Sequence, residues 1–236
     1  MNTTYLDLAI NKLEEIKATQ GENITRAAQL IGDTLIASKW VYTFGSGHSQ
    51  LLAIELHGRA GGLYPIVHIP DPMNGKAERI EGFGEVLLKG FPFQAGETII
   101  VISNSGRNPE PIEVALIAKQ AGLKVIALTS LEHSRSVSSR HSSGKLLFEV
   151  ADIVLDSLVP PGDASIQFEG MTPRTGALST VLGAALLNAV TVEAIEYMLS
   201  QGVEPPVLLS ANLDGSDEFN DAIKNKYGPM PSQPGM

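Results

Sequence analysis

Two short turns rich in glycine and serine are the segments of this sequence best suited to binding chemistry. The first, GSGHS at 45–49, follows the apolar run Trp40–Phe44, and the second, SNSGRN at 103–108, ends the run Thr98–Ser103. Glycine lets a backbone approach a ligand closely, and serine hydroxyls donate hydrogen bonds. A helix that begins at such a turn adds N–H groups and a dipole that favour an anion. The two turns therefore predict a site for phosphate.

Three better-known turns of this kind are excluded by their patterns. A dinucleotide fingerprint needs glycine at position 50, where Gln50 stands. Neither turn contains the G-K-[ST] of a Walker loop or the G-x-S-x-G of a nucleophile elbow. The remaining alternative to a phosphate site is that both are ordinary tight connections between a strand and a helix.

The elements around the turns alternate between strand and helix, which predicts a parallel sheet. Strands are expected at Trp40–Phe44, Tyr64–Ile69, Thr98–Ser103, Lys124–Thr129 and, as one broken strand, Leu146–Val150 with Ile153–Leu155. Helices are expected at 3–20, 22–38, Ser49–Ala60, Glu81–Lys89, Pro109–Ala121 and Gly176–Leu199. Because ligands bind at the carboxyl ends of parallel strands, both turns stand at the expected binding edge. We interpret residues 1–236 as a single domain, with N-terminal helices in 1–38, a core at about 35–200 and a C-terminal tail at 201–236.

The amino-acid composition limits the kinds of molecule that this protein is expected to bind. The chain has 17 Lys and Arg against 26 Asp and Glu, a net charge of −9, and no basic block, so nucleic acid and anionic membranes are poor candidate partners. The absence of cysteine excludes disulfides and thiolate ligands. No segment is expected to approach the ~18 apolar residues of a membrane span, and the first residues do not form a signal peptide. We therefore expect a cytoplasmic protein.

The motifs GSGHS and ISNSGRN resemble those of the sugar isomerase (SIS) domain of phosphosugar isomerases and phosphosugar-binding proteins. The resemblance covers roughly 35–200, and the segments SNSGRN, SSGKLL and DGSDEFN are similar to the UPF0309 group. It implies a flavodoxin-like α/β fold, a three-layer αβα sandwich with a five-stranded parallel sheet and extra helices at both termini. It also implies a sugar phosphate ligand and a homodimer or homotetramer.

The resemblance assigns residues to the two ends of such a ligand. The phosphate would be held by Ser103, Ser105, Asn108 and the backbone of Asn104. The sugar side would be lined by Ser46, Gly47 and Ser49. Asn108 departs from the Thr or Ser usual in the family, but its amide can still donate a hydrogen bond.

Aldose–ketose isomerisation moves a proton between adjacent carbons and needs a base and a polarising group. Glu55, Glu78 and His48 are the candidates. Glu55, in ELHGR, resembles a zinc-binding glutamate in the ELTGR segment of phosphoheptose isomerases, although it stands four residues earlier. The alternative role for Glu55 is an i,i+4 salt bridge with Arg59. Glu78 falls where those isomerases place an acid that contacts substrate, and its alternative is a solvated surface. Asp163 could contact sugar hydroxyls or simply form a turn.

One departure weakens the comparison with metal-dependent phosphoheptose isomerases. Their long helix carries Gln and His as zinc ligands, whereas 176–199 here contains no His and has Asn188 in its central stretch. We therefore expect no metal and no cofactor.

Two alternatives to an isomerase remain open. One is a metal-independent lyase like the N-acetylmuramic acid 6-phosphate etherases, whose GAGTSGR turn differs from GSGHSQL, and the other is a non-catalytic phosphosugar sensor.

Overall fold

Five parallel strands form the central sheet, in a computed structural model that describes residues 4–232. The strands are β1 (Val41–Gly45), β2 (Ile66–Ile69), β3 (Thr98–Ile102), β4 (Lys124–Thr129) and β5 (Ile153–Asp156). Their order is β2-β1-β3-β4-β5, which is the flavodoxin-like order of a doubly wound sheet. A separate antiparallel pair consists of β6 (Ala164–Ile166) and β7 (Thr175–Ala177).

Helices cover both faces of the sheet. They are α1 (Thr4–Thr19), α2 (Gly21–Ile36), α3 (Gln50–Glu55), α4 (Phe83–Leu88), α5 (Pro109–Gln120), α6 (Leu131–Arg135), α7 (Leu147–Val150), α8 (Ser179–Ser200) and α9 (Ser216–Tyr227). Alternate residues of β3 divide between two cores: Ile100 and Ile102 join α1, α2, α3 and α8, while Ile99 and Val101 join α4, α5 and α7. Every residue of β3 is buried, as expected for a strand covered on both faces. The predicted three-layer αβα fold with helices added at both ends is confirmed.

One strand assignment from the sequence was wrong. Leu146–Val150 was predicted as the first half of a broken strand, but Leu147–Val150 is helix α7, and only Ile153–Asp156 pairs with β4. The Glu149 carboxylate accepts a hydrogen bond from the N–H of Leu146 at 2.7 Å, which stabilises a helical turn. A short apolar run carries no periodicity that separates a helical turn from a buried strand.

Other element boundaries also differ from the prediction. The helix expected over Ser49–Ala60 begins with a 3-10 turn at Gly47–Ser49 and ends at Glu55. Helix α6 and strand β6 lie in segments for which no helix or strand was predicted, and α9 lies in the predicted tail. The helix predicted from Gly176 begins only at Ser179, because Gly176 and Ala177 belong to β7. The predicted start of the first helix at residue 3 lies outside the described residues.

Helix α8 contradicts the expectation that no segment approaches a membrane span. Within the described part of the chain, this helix is long and apolar enough to cross a membrane by length and composition alone. Leu182, Leu186, Leu187 and Val190 of this helix are nonetheless buried in the same core cluster as residues of α2. This packing favours a core helix.

Gly45 is the last residue of β1 and leads into the turn after it, and we predict that an alanine there destabilises the fold. An added Cβ would collide with the backbone carbonyl of Ser49, which cannot move without opening the turn. We expect Gly45→Ala to lower the free energy of unfolding by about 1–3 kcal/mol in urea denaturation.

Gly21→Ala is the matched control, because its added Cβ would meet no described atom within 4 Å beyond its chain neighbours and its own helix backbone, and alanine is favoured in helices. It should leave stability unchanged or slightly raised. Equal stabilities for the two variants would show that the turn does not require Gly45.

Candidate functional site

A cavity of about 350 Å³ opens at the carboxyl ends of β1 and β3. These neighbouring strands flank the point where the strand order reverses, the usual position of a ligand in an open parallel sheet. Sequence-predicted site residues that line it are Ser46, Gly47, His48, Ser49, Glu78, Ser103, Asn104, Ser105 and Asn108. Glu55 is not among the lining residues.

The turn after β3 uses its carbonyl groups within the fold. The carbonyl of Asn104 accepts a hydrogen bond from the N–H of Ser130 at 3.0 Å, and that of Gly106 accepts one from the N–H of Leu147 at 2.8 Å. The N–H groups of Asn104 and Ser105 make no hydrogen bond to any residue in the range 4–232. This turn therefore offers unpaired backbone donors beside the cavity, as an anion site requires.

Side chains add further donors. Ser103 Oγ accepts a hydrogen bond from the N–H of Gly106 at 3.2 Å, so its own proton remains available. Arg140 donates to Asn108 Oδ1 at 2.8 Å, which leaves the Asn108 amide N–H₂ for a ligand. The Ser105 hydroxyl makes no hydrogen bond within the described residues. These groups stand beside the amino end of α5, whose dipole favours negative charge.

Asp71, which sequence analysis missed, shapes the turn after β1. Its carboxylate, 2% exposed, accepts hydrogen bonds from the N–H groups of Gly47 at 3.0 Å, Met73 at 2.9 Å and Gly75 at 2.6 Å. Burial alone would raise the pKa of Asp71, but these hydrogen bonds outweigh it and hold the pKa below its usual value. The turn-forming composition of Asp-Pro-Met-Asn-Gly was the available signal.

Ser46 lines the cavity, but its hydroxyl contacts two buried acids. Ser46 Oγ lies 2.6 Å from Glu110 Oε2 and 3.0 Å from Asp71 Oδ2. Glu110, which sequence analysis did not single out, is fully buried in the first turn of α5, where the helix dipole favours an acid. Burial is the largest cause that raises the pKa of Glu110 to about 7.

Two carboxylates line the cavity, Glu78 and Asp163, and they differ in their contacts. Asp163 Oδ1 accepts hydrogen bonds from the N–H groups of Leu178 at 2.9 Å and Ser179 at 2.8 Å, so it caps the start of α8. Glu78 has no side-chain hydrogen bond within the described residues and is half-buried. Glu78 is therefore the cavity carboxylate available to act on a ligand.

The structure places Glu55 away from the cavity. Its carboxylate forms an ion pair with Arg59, the alternative that the i,i+4 spacing allowed, and Asn188 Nδ2 lies 3.3 Å from it. A zinc site at Glu55 does not fit this arrangement, since its carboxylate is paired with a cation and an amide and 176–199 contains no His. No group of three or more His, Asp or Glu in the range 4–232 is placed to hold a metal ion.

Two histidines line the cavity. His48 lies in the turn after β1, as its sequence position predicted. His133, in α6, has a buried Nδ1 without a hydrogen-bond partner among the described residues, and burial followed by the nearby charge of Arg107 lowers its pKa. Either imidazole is a candidate hydrogen-bond partner for a ligand.

Comparison with known proteins identifies the family. The SIS domain model matches residues 4–130. The UPF0309 protein lmo0025 of Listeria monocytogenes is 44% identical over 227 residues, which cover 96% of this chain and 97% of the relative. The chain belongs to the SIS domain family, within the UPF0309 group.

Solved structures similar to this SIS domain agree in fold. Phosphoheptose isomerase GmhA from Neisseria gonorrhoeae has a TM-score of 0.55 at 19% identity, over 84% of this chain and 96% of that one. The NanR protein of Vibrio vulnificus, complexed with ManNAc-6P, has a TM-score of 0.52 at 14% identity, over 94% of this chain and 65% of that one. At these identities the likeness shows the fold alone.

We predict that Asp71→Asn destabilises this SIS domain, because a neutral amide accepts hydrogen bonds less strongly than a carboxylate. The loss should be about 1–3 kcal/mol at pH 7, measured by urea denaturation. The pKa of Asp71 is lower in the folded state than its unfolded value of 3.8, so the ionised carboxylate stabilises the fold at pH values above 3.8. That contribution disappears as the pH falls through the folded pKa. The variant should therefore lose less stability than wild type on acidification.

Asp221→Asn is the control, since Asp221 pairs with Lys224 on the surface, where such pairs contribute little to stability. If Asp71→Asn were as stable as this control across the acid range, Asp71 would not hold the turn.

Proposed function

We propose that this chain binds a sugar phosphate in the cavity and interconverts its aldose and ketose forms. The observation that carries the proposal is that two kinds of group line the same cavity. They are backbone, hydroxyl and amide donors around Asn104 and Ser105, unpaired within residues 4–232, and the carboxylate of Glu78. Donors without protein acceptors suit a phosphate, and an available carboxylate suits proton transfer.

The phosphate would be held by Ser103, Ser105, Asn108 and the N–H of Asn104. The donors are neutral or belong to the backbone, and the dipole of α5 adds to them. Such a site recognises a dianion without a cluster of lysines, which fits the net charge of −9. The ManNAc-6P bound by NanR, a protein of the same fold, supports a phosphosugar as the ligand class.

Glu78 would act as the base. In its ionised form it would take a proton from the carbon next to the sugar carbonyl and return it to the former carbonyl carbon, so the carboxylate is regenerated. The proton of the neighbouring hydroxyl moves to the former carbonyl oxygen in the same conversion. The charge that develops on the sugar oxygen in the enediolate needs a hydrogen-bond donor, and His48, His133 and Ser49 are the candidates in the cavity. The assignment of Glu55 to this role has less support, because Glu55 does not line the cavity.

The alternatives differ in what happens to the ligand. A lyase would release a substituent from the sugar and leave an unsaturated product, and a sensor would bind without converting the ligand. Product analysis by NMR distinguishes all three.

Assembly into a homodimer or homotetramer, a single domain over 1–236 and a cytoplasmic location stay predictions.

Ser105→Ala tests the phosphate site. Removing one hydrogen bond to a charged group costs about 1.5–3 kcal/mol, so affinity for hexose and heptose phosphates should fall about 10- to 100-fold in isothermal titration calorimetry. Ser138→Ala, an exposed serine outside the cavity, is the matched control and should bind as wild type does. Unchanged affinity in Ser105→Ala would refute this placement of the phosphate.

Glu78→Gln tests the chemistry. We expect conversion between aldose and ketose phosphates, followed by NMR, to slow by about 10²- to 10⁴-fold while binding persists. The exposed Glu85→Gln is the control, and Glu55→Gln tests the competing candidate. A loss of turnover in Glu55→Gln with none in Glu78→Gln would transfer the role of base to Glu55.

A further inference from the structure

A buried chain of polar groups lies directly beneath the turn after β1. It runs from Glu110 to Ser46 to Asp71, and from Asp71 to the N–H of Gly47. Glu110 is fully buried, and its Oε1 has no hydrogen-bond partner among the described residues. The isomerase proposal above gives Glu110 no role.

The number of protons available determines which group donates in each of these hydrogen bonds. The Ser46 hydroxyl has one proton but lies within hydrogen-bond distance of two carboxyl oxygens. If both acids were ionised, one contact would bring two oxygens together without a proton between them. Asp71 accepts hydrogen bonds from N–H groups of Gly47, Met73 and Gly75, so it is the ionised member. Glu110 must then carry the proton, donating it to Ser46 while Ser46 donates to Asp71.

The charges around Glu110 agree with this assignment. Asp71 and Glu78 face it from the loop after β2, Glu113 lies one turn further along α5, and all act against its ionisation. Burial is the largest cause that raises the pKa of Glu110 to about 7. His141 lies 3.8 Å from Glu113. No cation forms an ion pair with Glu110 within residues 4–232.

We propose that Glu110 is a positioning residue for the anion site: its protonated form holds Ser46 and the turn after β1 in place, and its ionisation weakens anion binding. This proposal rests on the phosphate site proposed above. An ionised Glu110 would stand in the first turn of α5 and compete with a bound anion for the positive end of the same helix dipole. It would also repel the anion across a buried region.

Sulfate is the probe for binding, because it stays a dianion from pH 5.5 to 8.5 whereas a phosphate ester titrates near pH ~6. For the wild-type chain we expect sulfate affinity, measured by calorimetry, to fall on the order of tenfold as pH rises through about 7. Glu110→Gln cannot ionise and its amide can donate to Ser46, so it should keep the low-pH affinity throughout. Glu110→Ala, which lacks the donor, should bind weakly at every pH.

Glu97→Gln is the matched control. Burial also raises the pKa of Glu97, but Glu97 precedes β3 and so lies at the amino end of the sheet, away from the cavity. This variant should keep the wild-type dependence of sulfate affinity on pH. A pH dependence in Glu110→Gln equal to that of wild type would overturn the positioning role while leaving the anion site intact.

A second measurement needs no ligand. Infrared spectroscopy of the wild-type chain should show the carbonyl band of a protonated carboxyl group that titrates near pH 7, lost in Glu110→Gln and retained in Glu97→Gln. If that band is present but wild type binds no sulfate at any pH, the phosphate site of the proposed function is wrong, and the binding half of this proposal is wrong with it. If the band assigned to Glu110 is absent below pH 6, the hydrogen-bond chain itself is refuted.

Discussion

The pairing of β1 with β3 is the constraint on which the site depends. The two strands run parallel in register from Val41 beside Thr98 to Gly45 beside Ile102, so both end at the same level. The chain must leave each strand through a turn, and the two turns meet where the strand order reverses. Residues separated by more than fifty positions, such as Ser46 and Ser103, thereby line one cavity.

Electrostatics within this site is organised by the backbone and by buried acids. The turn after β3 commits its carbonyls to the fold and leaves the N–H groups of Asn104 and Ser105 without a partner among residues 4–232. The carboxylate of Asp71 stabilises the turn after β1 by accepting a hydrogen bond from the N–H of Gly47. An acidic protein can thus present a local surface of donors, because the carboxylates of Asp71 and Asp163 are engaged in hydrogen bonds and burial raises the pKa of Glu110. Glu78 is left as the cavity carboxylate without a side-chain hydrogen bond in residues 4–232.

The sequence predicted the features that depend on local pattern. Strand β3 and the serine-rich turn after it follow from one β-branched apolar run and its abrupt end at Ser103. The sequence could not predict that Glu110 lies against Ser46, since 64 residues separate them and an acid at a helix start is usually exposed. Nor could it separate Glu55 from Glu78 as a base, because that choice depends on how α3 and the loop after β2 are placed around the cavity. Helix α7 was missed because a segment of four residues is too short to show a period.

The most direct test of a sugar phosphate site is a thermal-shift panel of six- and seven-carbon sugar phosphates, with and without N-acetyl groups, against the free sugars and inorganic phosphate. A ligand at 100 times its dissociation constant adds about 2.7 kcal/mol, which for a chain of this size raises the melting temperature by roughly 5–10 °C. The account predicts such a shift with at least one phosphorylated sugar and none with its free form. A panel without any shift, or equal shifts with and without the phosphate, would contradict it.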